Sequence, residues 1–373
     1  MQKKDLILFY PSFERGGVTN ILQNLVNEEN SKEYNIHIIS SKNFLKSNLK
    51  KNKSIIFYPV LKKINIPLIP QRFITALNGM IVLNSLLKDK RKNVVVHSMQ
   101  SNVAAIIVCF FKNIKIVIRN SEDPIHSTIN SENIFFGFIA FCLKLLFYNF
   151  TDGIVTNSKG SAKSLRYFVF NKKKIHQIYN PYLKKINKKN YLKKKYIINI
   201  GRLRKQKDHK TLLLAFQIFL KKKKDYKLII LGHGNLEANL KKLSKKLKIS
   251  NKVIFKGWTK DTLTYLKKSK IFVLSSVYEG LGNVLIDAIN FNVPCISTNC
   301  KSGPSEILLN GKGGYLVKIR KPYLLAEKML LSIDNYNVSL SKNARAKSKL
   351  DRFYISKNSK KYFTYLKSFY NFS

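Results

Sequence analysis

The chain has 373 residues, 45% of them hydrophobic and 12% aromatic, with 69 Lys+Arg against 20 Asp+Glu for a formal charge of +49. That much apolar material excludes wholesale disorder despite the charge, and at roughly 100–200 residues per domain the length favours two domains. Four cysteines (Cys109, Cys142, Cys295, Cys300) show neither C-x-x-C pairing nor a histidine cluster, so neither a zinc site nor a disulfide framework is expected.

Residues 1–10 (MQKKDLILFY) open with a small basic cluster, but the apolar run is short and passes straight into PSFERGG. The expectation is a chain that starts at Met1 in the cytosol, without a signal peptide. LILFY at 6–10 reads as a buried strand. After Gly16 and Gly17, the residues Val18, Ile21, Leu22, Leu25 and Val26 share one helical face. Further strands are predicted at 35–40, 93–98, 114–120 and 153–158, each near-continuously apolar as befits strands covered on both faces. The run 134–150 is apolar but contains Lys144 and is shorter than the ~20 residues a bilayer needs. Its favoured reading is a helix buried on the first domain's sheet; the competing reading is apposition to a membrane surface.

Between Asn171 and Lys195 ten lysines and no acidic residue interrupt the pattern, around Asn180-Pro181. It then resumes with strands at 196–201, 226–232, 252–257, 271–276 and 293–299, and helices around 211–221 and 236–248. An aromatic helix is predicted from 351. Two successive strand–helix series mean α/β architecture, two doubly wound domains facing across a cleft. The boundaries are set at 1–185, 186–350 and a helical extension 351–373.

Four segments follow predicted strands, where ligand loops of such sheets lie. FERGGVTN places Gly17 before a helix N-terminus, able to approach an anion closely. GRLRKQK carries Arg202 and Lys207, a guanidinium fork and a point charge suited to phosphate oxygens. In SSVYEGLGNVLID, Glu279 stands on a loop, Gly280 and Gly282 open the next helix, Asn283 is a plausible cap and Asp287 follows within the helix. The two carboxylates would meet different parts of a bound molecule, one a sugar and one a ribose. In TNCKSGPSEILLNGKGGYLV, Glu306 begins a short helix, and a structural role is as well supported as a functional one.

The combined order of GRLRKQK (201–207), LGHGNLEANL (231–240), FKGW (255–258) and EGLGNVLID (279–287) resembles the retaining glycosyltransferases of family 4, which have the GT-B fold of two Rossmann-like domains. TDGIVTNS (151–158) and IYNP (178–181) match more loosely. STNCKSGPSEIL is similar to the subgroup that adds hexoses or N-acetylhexosamines to bacterial lipid-linked or lipopolysaccharide acceptors. The resemblance implies an N-terminal acceptor domain and a C-terminal nucleotide-sugar domain. Arg202 and Lys207 would hold the donor diphosphate, with backbone around Gly17 on the same phosphates. Glu279 would contact the transferring sugar, Gly280, Leu281, Gly282 and Asn283 would line the donor, Asp287 would meet the ribose, and Lys256, Gly257 and Trp258 would lie near the base. The resemblance makes a UDP-sugar the first donor to test. Asp287 stands where the family usually has Glu, and Arg119-Asn120 where it often has a His. On the acceptor side the candidates are therefore His97, Arg119, Asn120 and His126. No two aspartates are two apart, so no D-x-D metal pattern exists; no metal or other cofactor is expected.

The basic excess has two readings: a compositional bias towards Lys, Asn and Ile, or attraction to a polyanion. An anionic leaflet attracts by roughly 1 kcal/mol per basic residue near its surface. Nucleic acid is not expected as a partner, because no RNP-like, KH or zinc-finger pattern is present. The expected enzyme is peripheral on the inner face of the cell membrane, serving surface polysaccharide synthesis. The rival is a non-catalytic protein that binds RNA or anionic membrane, in which Glu279 would have no role.

Overall fold

A computed structural model describes residues 3–12, 17–29, 33–40, 49, 55–60, 71–88, 93–129 and 133–370. Seven strands form the first sheet: β1 (Lys4–Tyr10), β2 (Tyr34–Ser40), β3 (Ile55–Pro59), β4 (Val94–Ser98), β5 (Lys115–Asn120), β6 (Gly153–Thr156) and β7 (Ile175–Gln177). Six form the second: β8 (Lys194–Ile200), β9 (Lys227–Leu231), β10 (Val253–Gly257), β11 (Ser269–Leu274), β12 (Cys295–Thr298) and β13 (Tyr315–Val317). Every pairing is parallel.

The orders are β3-β2-β1-β4-β5-β6-β7 and β10-β9-β8-β11-β12-β13. Each sheet therefore reverses direction of growth beside its first strand, at β1/β4 and β8/β11. Loops leaving those neighbouring strands diverge and open a crevice at the carboxyl edge.

Strand composition explains the double covering. Ile7 and Phe9 of β1 enter one core layer while Leu6, Leu8 and Tyr10 enter the other. Ile197 and Ile198 of β8 likewise part to opposite faces of the second sheet. Side chains that alternate between two apolar layers read as an unbroken hydrophobic run. That is why the central strands were legible, whereas β3 is an edge strand, half-exposed, and β7 is only three residues long.

The terminal helix Ile355–Lys367 returns to the first lobe, where Tyr362, Leu366 and Tyr370 join Leu6, Ile21 and Leu25. Its approach pairs with the earlier crossing segment: Leu183 N–H donates to Phe353 O at 2.9 Å and Ile355 N–H donates to Leu183 O at 2.9 Å. Two adjacent chain crossings thus join the lobes.

The helix Ile134–Phe147 corrects the favoured sequence reading. Only Gly137 in it is buried, and Ile134, Phe135 and Phe138 are 74%, 68% and 60% exposed. Apart from Lys144 the helix is apolar all round, so burying one side against the lobe leaves apolar side chains in solvent.

Candidate active site

The loop after β8 runs back beneath the loop after β11. Leu203 is buried and anchors it, its N–H donating to His233 O at 3.0 Å and its C=O accepting from Leu236 N–H at 3.1 Å. The Val277 N–H then donates to Gln206 O at 2.9 Å, the Gln206 amide to Tyr278 O at 3.1 Å and the Ser275 hydroxyl to Lys207 O at 2.7 Å. These bonds bring Lys207 Nζ within 2.5 Å of Glu279 Oε1, with both side chains largely buried. Ser276 Oγ donates to the same oxygen at 2.6 Å. The lysine stem lies along Gly201, where a Cβ would stand 3.3 Å from its Cγ and Cδ. Arg202 begins this loop with its side chain exposed.

The loop ends in a left-handed Asp208 (φ 43°), whose carboxylate caps the helix His209–Leu220 by accepting from Thr211 N–H at 3.3 Å and Thr211 Oγ1 at 2.6 Å. Asp208 is thus spent on its own helix.

Gly280 to Asn283 form the seam between lobes. A Cβ on Gly280 would collide with Ser121 O, at the end of β5. Gly282 takes φ +86° and is the N-cap of the helix Asn283–Asn290, with no side-chain cap bond. The first N–H groups of that helix thus have no capping side chain, which suits an anion. Asn283, expected as the cap, is the first helical residue; its Oδ1 accepts from Asn180 Nδ2 at 3.0 Å. Across the seam, a Cβ on Gly17 would lie 3.8 Å from Asn283 Nδ2, so the first lobe's β1 loop faces this helix N-terminus. Gly16 lies outside the described residues.

Asp287 is partly buried and its Oδ2 accepts from Tyr182 Oη at 2.5 Å. Burial raises its pKa to about 7, against the hydrogen bond from Tyr182, which lowers it. Lys256, Gly257 and Trp258 sit at the carboxyl end of β10, on the same edge of the sheet, with Gly257 at φ +68° and Trp258 49% exposed. Lys207, Glu279 and this exposed indole therefore lie on the loops of one carboxyl edge, from the switch point to the outer strand.

The acceptor-side candidates part company. His97 is fully buried, its Nδ1 bonded to Val117 O at 3.0 Å and its ring edge-on to Tyr362. Burial first, and the Arg119 charge beside it, pull its pKa down to about 4 against the Val117 hydrogen bond, so it is a neutral core residue. Asn120 is buried and donates to Glu122 O and Ser161 Oγ. Arg119 is 2% exposed and bonds Asn180 and Ser121. An acceptor in the cleft cannot reach side chains so enclosed. His126 alone of the four is partly exposed, on the short helix Pro124–Ile129.

Ser276 escaped sequence reasoning, and Glu306, left there between a structural and a functional role, acquires a structural one. Ser276 orients Glu279, and nothing in the spacing marked it. Glu306 joins the lobes, accepting from Lys159 N–H at 3.0 Å and from Tyr179 Oη; SGPSEI and IYNP carried that signal separately. Among the described residues no three His, Cys, Asp or Glu gather as a metal-binding group.

Two parallel α/β lobes facing across a cleft are the architecture of the GT-B class. Residues 183–349 match the family model described as glycosyl transferases group 1. The chain is 33% identical over 297 residues to an uncharacterized glycosyltransferase of Methanocaldococcus jannaschii, covering 68% of this chain and 72% of that protein. It is 31% identical over 271 residues to the N-acetylgalactosamine-N,N'-diacetylbacillosaminyl-diphospho-undecaprenol 4-alpha-N-acetylgalactosaminyltransferase of Campylobacter jejuni, covering 70% and 73%. Anabaena HepE, solved in complex with UDP-glucose, superposes with TM-score 0.76 at 14% identity over 98% of this chain and 100% of its own. The chain belongs to the glycosyltransferases and has the GT-B fold.

Proposed function

We propose that the chain is a family 4 retaining transferase that moves a hexose or N-acetylhexosamine from a UDP-sugar to a lipid-linked or oligosaccharide acceptor in bacterial surface polysaccharide synthesis. The observation that carries this reading is the Lys207–Glu279 pair, 2.5 Å apart at the β8/β11 switch point. Lys207 would draw off charge from the departing diphosphate, joined by Arg202 and the N–H groups of the helix Asn283–Asn290. Glu279, its one oxygen fixed by Lys207 and Ser276, would accept a hydroxyl of the transferring sugar. The anomeric carbon–phosphate oxygen bond breaks and the acceptor oxygen–carbon bond forms on the same face, the acceptor's proton passing to the departing phosphate oxygen. This assignment needs no metal. The UDP-glucose complex of HepE and the undecaprenol-linked acceptor named for the Campylobacter relative support the substrate classes.

The enzyme would work as a peripheral protein on the cytoplasmic leaflet. Among the described residues no helix is long and apolar enough to cross a membrane. The exposed Phe135 and Phe138, with Phe110 and Phe111 also exposed on the same lobe, offer an apolar face on a strongly cationic protein. The test is to screen UDP-, GDP- and ADP-sugars for release of free nucleoside diphosphate, with and without a polyprenyl-linked acceptor; a UDP-sugar is expected to turn over.

A further inference from the structure

Arg119, expected on the acceptor side, is the largest fully buried side chain among the described residues. No carboxylate lies within ion-pair distance of it among the described residues, and its Nε has no hydrogen-bond partner. A buried guanidinium stays charged and is costly to desolvate without a counter-charge. Tyr362 of the terminal helix faces the guanidinium, and two hydrogen bonds of the fork lead towards the second lobe. Nη2 donates to Asn180 Oδ1 at 2.7 Å, and Nη1 donates to Ser121 Oγ.

Each partner in turn touches the second lobe at one end of the same short loop. Asn180 Nδ2 donates to Asn283 Oδ1 at 3.0 Å, at the N-terminus of the helix Asn283–Asn290. Ser121 O stands where a Cβ of Gly280 would be, and it also accepts from Asn157 Nδ2 at 3.1 Å. One first-lobe guanidinium thus braces both Gly280 and Asn283, the two flanks of the turn that presents the helix N-terminus.

We propose that Arg119 is a positioning residue for the donor diphosphate, acting through Asn180 and Ser121 to fix the Gly280–Asn283 turn of the opposite lobe. Among the described residues its positive charge has no carboxylate counter-charge within ion-pair distance, and a dianion at that helix N-terminus would supply one. The inference rests on the transferase reading above and adds a residue that never touches the donor. It places part of the control of nucleotide affinity in a first-lobe side chain enclosed away from the cleft.

Calorimetric titration of the full chain with UDP, GDP and ADP tests it, alongside thermal melting. Arg119→Lys keeps the charge but loses the planar fork; Asn180→Ala cuts the link at a smaller, uncharged residue and keeps the test open should the arginine variant fold poorly. Each is expected to weaken binding of the accepted nucleotide, Arg119→Lys about tenfold, and the double variant no further than Arg119→Lys alone, as coupled residues behave. A purely structural role would lower the melting temperature and leave the dissociation constant of folded protein unchanged, and that result overturns the proposal. Multiplicative weakening in the double variant overturns the relay as well. Failure of the wild-type chain to bind any nucleoside diphosphate is a different outcome: it sinks the transferase reading and this inference with it.

Discussion

Lys207 Nζ and Glu279 Oε1 stand 2.5 Å apart although 72 residues separate them in the chain. Adjacent parallel strands make the meeting possible, since β8 and β11 deliver both loops to one edge. The pair is enclosed enough that each charge depends on the other. Replacing Lys207 by Met leaves Glu279 buried with only Ser276, and breaking such a pair costs about 3 kcal/mol. Lys207→Met should therefore melt well below wild type, and adding Glu279→Gln should recover part of the loss. Urea denaturation of the two single variants and the double measures it; additive losses would count against the pairing.

Gly280 allows no side chain where the lobes meet. Gly280→Ala must push against Ser121 O and the Asn157 amide, 2.9 Å from the added carbon. Overpacking of this kind costs about 1–3 kcal/mol, and here the lobes can relieve it by separating. Transfer activity should fall roughly ten- to a hundredfold, with the melting temperature little changed. Steady-state kinetics with unchanged turnover would show that the seam is not needed closed.

Asp287 carries a pH signature. Its folded pKa is raised from 3.8 to about 7 by burial, so the folded state prefers the protonated form. For a raised folded pKa the stabilisation is complete below the unfolded value and is lost as pH rises through the folded one. Relative to Asp287→Asn, wild type should lose stability between about pH 4 and pH 7 and run parallel above that. Denaturant titrations across this window read it; parallel curves throughout would remove the shift.

The apolar face makes a separate claim. Phe135→Ser with Phe138→Ser alters two side chains that are 68% and 60% exposed, so the fold should be unaffected. Retention on vesicles rich in phosphatidylglycerol should drop at least tenfold, since burying an aromatic side chain is worth about 1.5–3 kcal/mol. Co-sedimentation at fixed ionic strength decides; equal retention would assign the face to another use.

Central strands and ligand loops were legible because both obey short-range rules: doubly covered strands are continuous hydrophobic runs, and the loops that follow carry glycine and charge. Lys207 meets Glu279 and Gly17 faces Asn283 across the seam, a grouping that the family resemblance implies and the short-range rules alone do not. Arg119, Asn120 and His97 were misjudged because proximity to a strand end does not say which way a side chain turns. Arg119 turns inward to Asn180, a residue in a distant linker, and His97 turns to the terminal helix, which the chain supplies 265 residues later at Tyr362. The helix Ile134–Phe147 failed for another reason: an apolar composition says that water is disfavoured but not what replaces it. Ser276 left no trace, since a serine after a strand is ordinary until its carboxylate partner is placed.

The sharpest measurement is release of nucleoside diphosphate from the accepted nucleotide-sugar by wild type and by Glu279→Ala, each confirmed folded by its melting curve. With the carboxylate gone, the ammonium of Lys207 loses its partner and, on the proposed role of Glu279, the sugar its anchor, so turnover should fall by at least a hundredfold, on the scale of losing one transition-state contact. Wild-type rates in the alanine variant would mean that the cleft between the lobes does its chemistry, if any, without this pair.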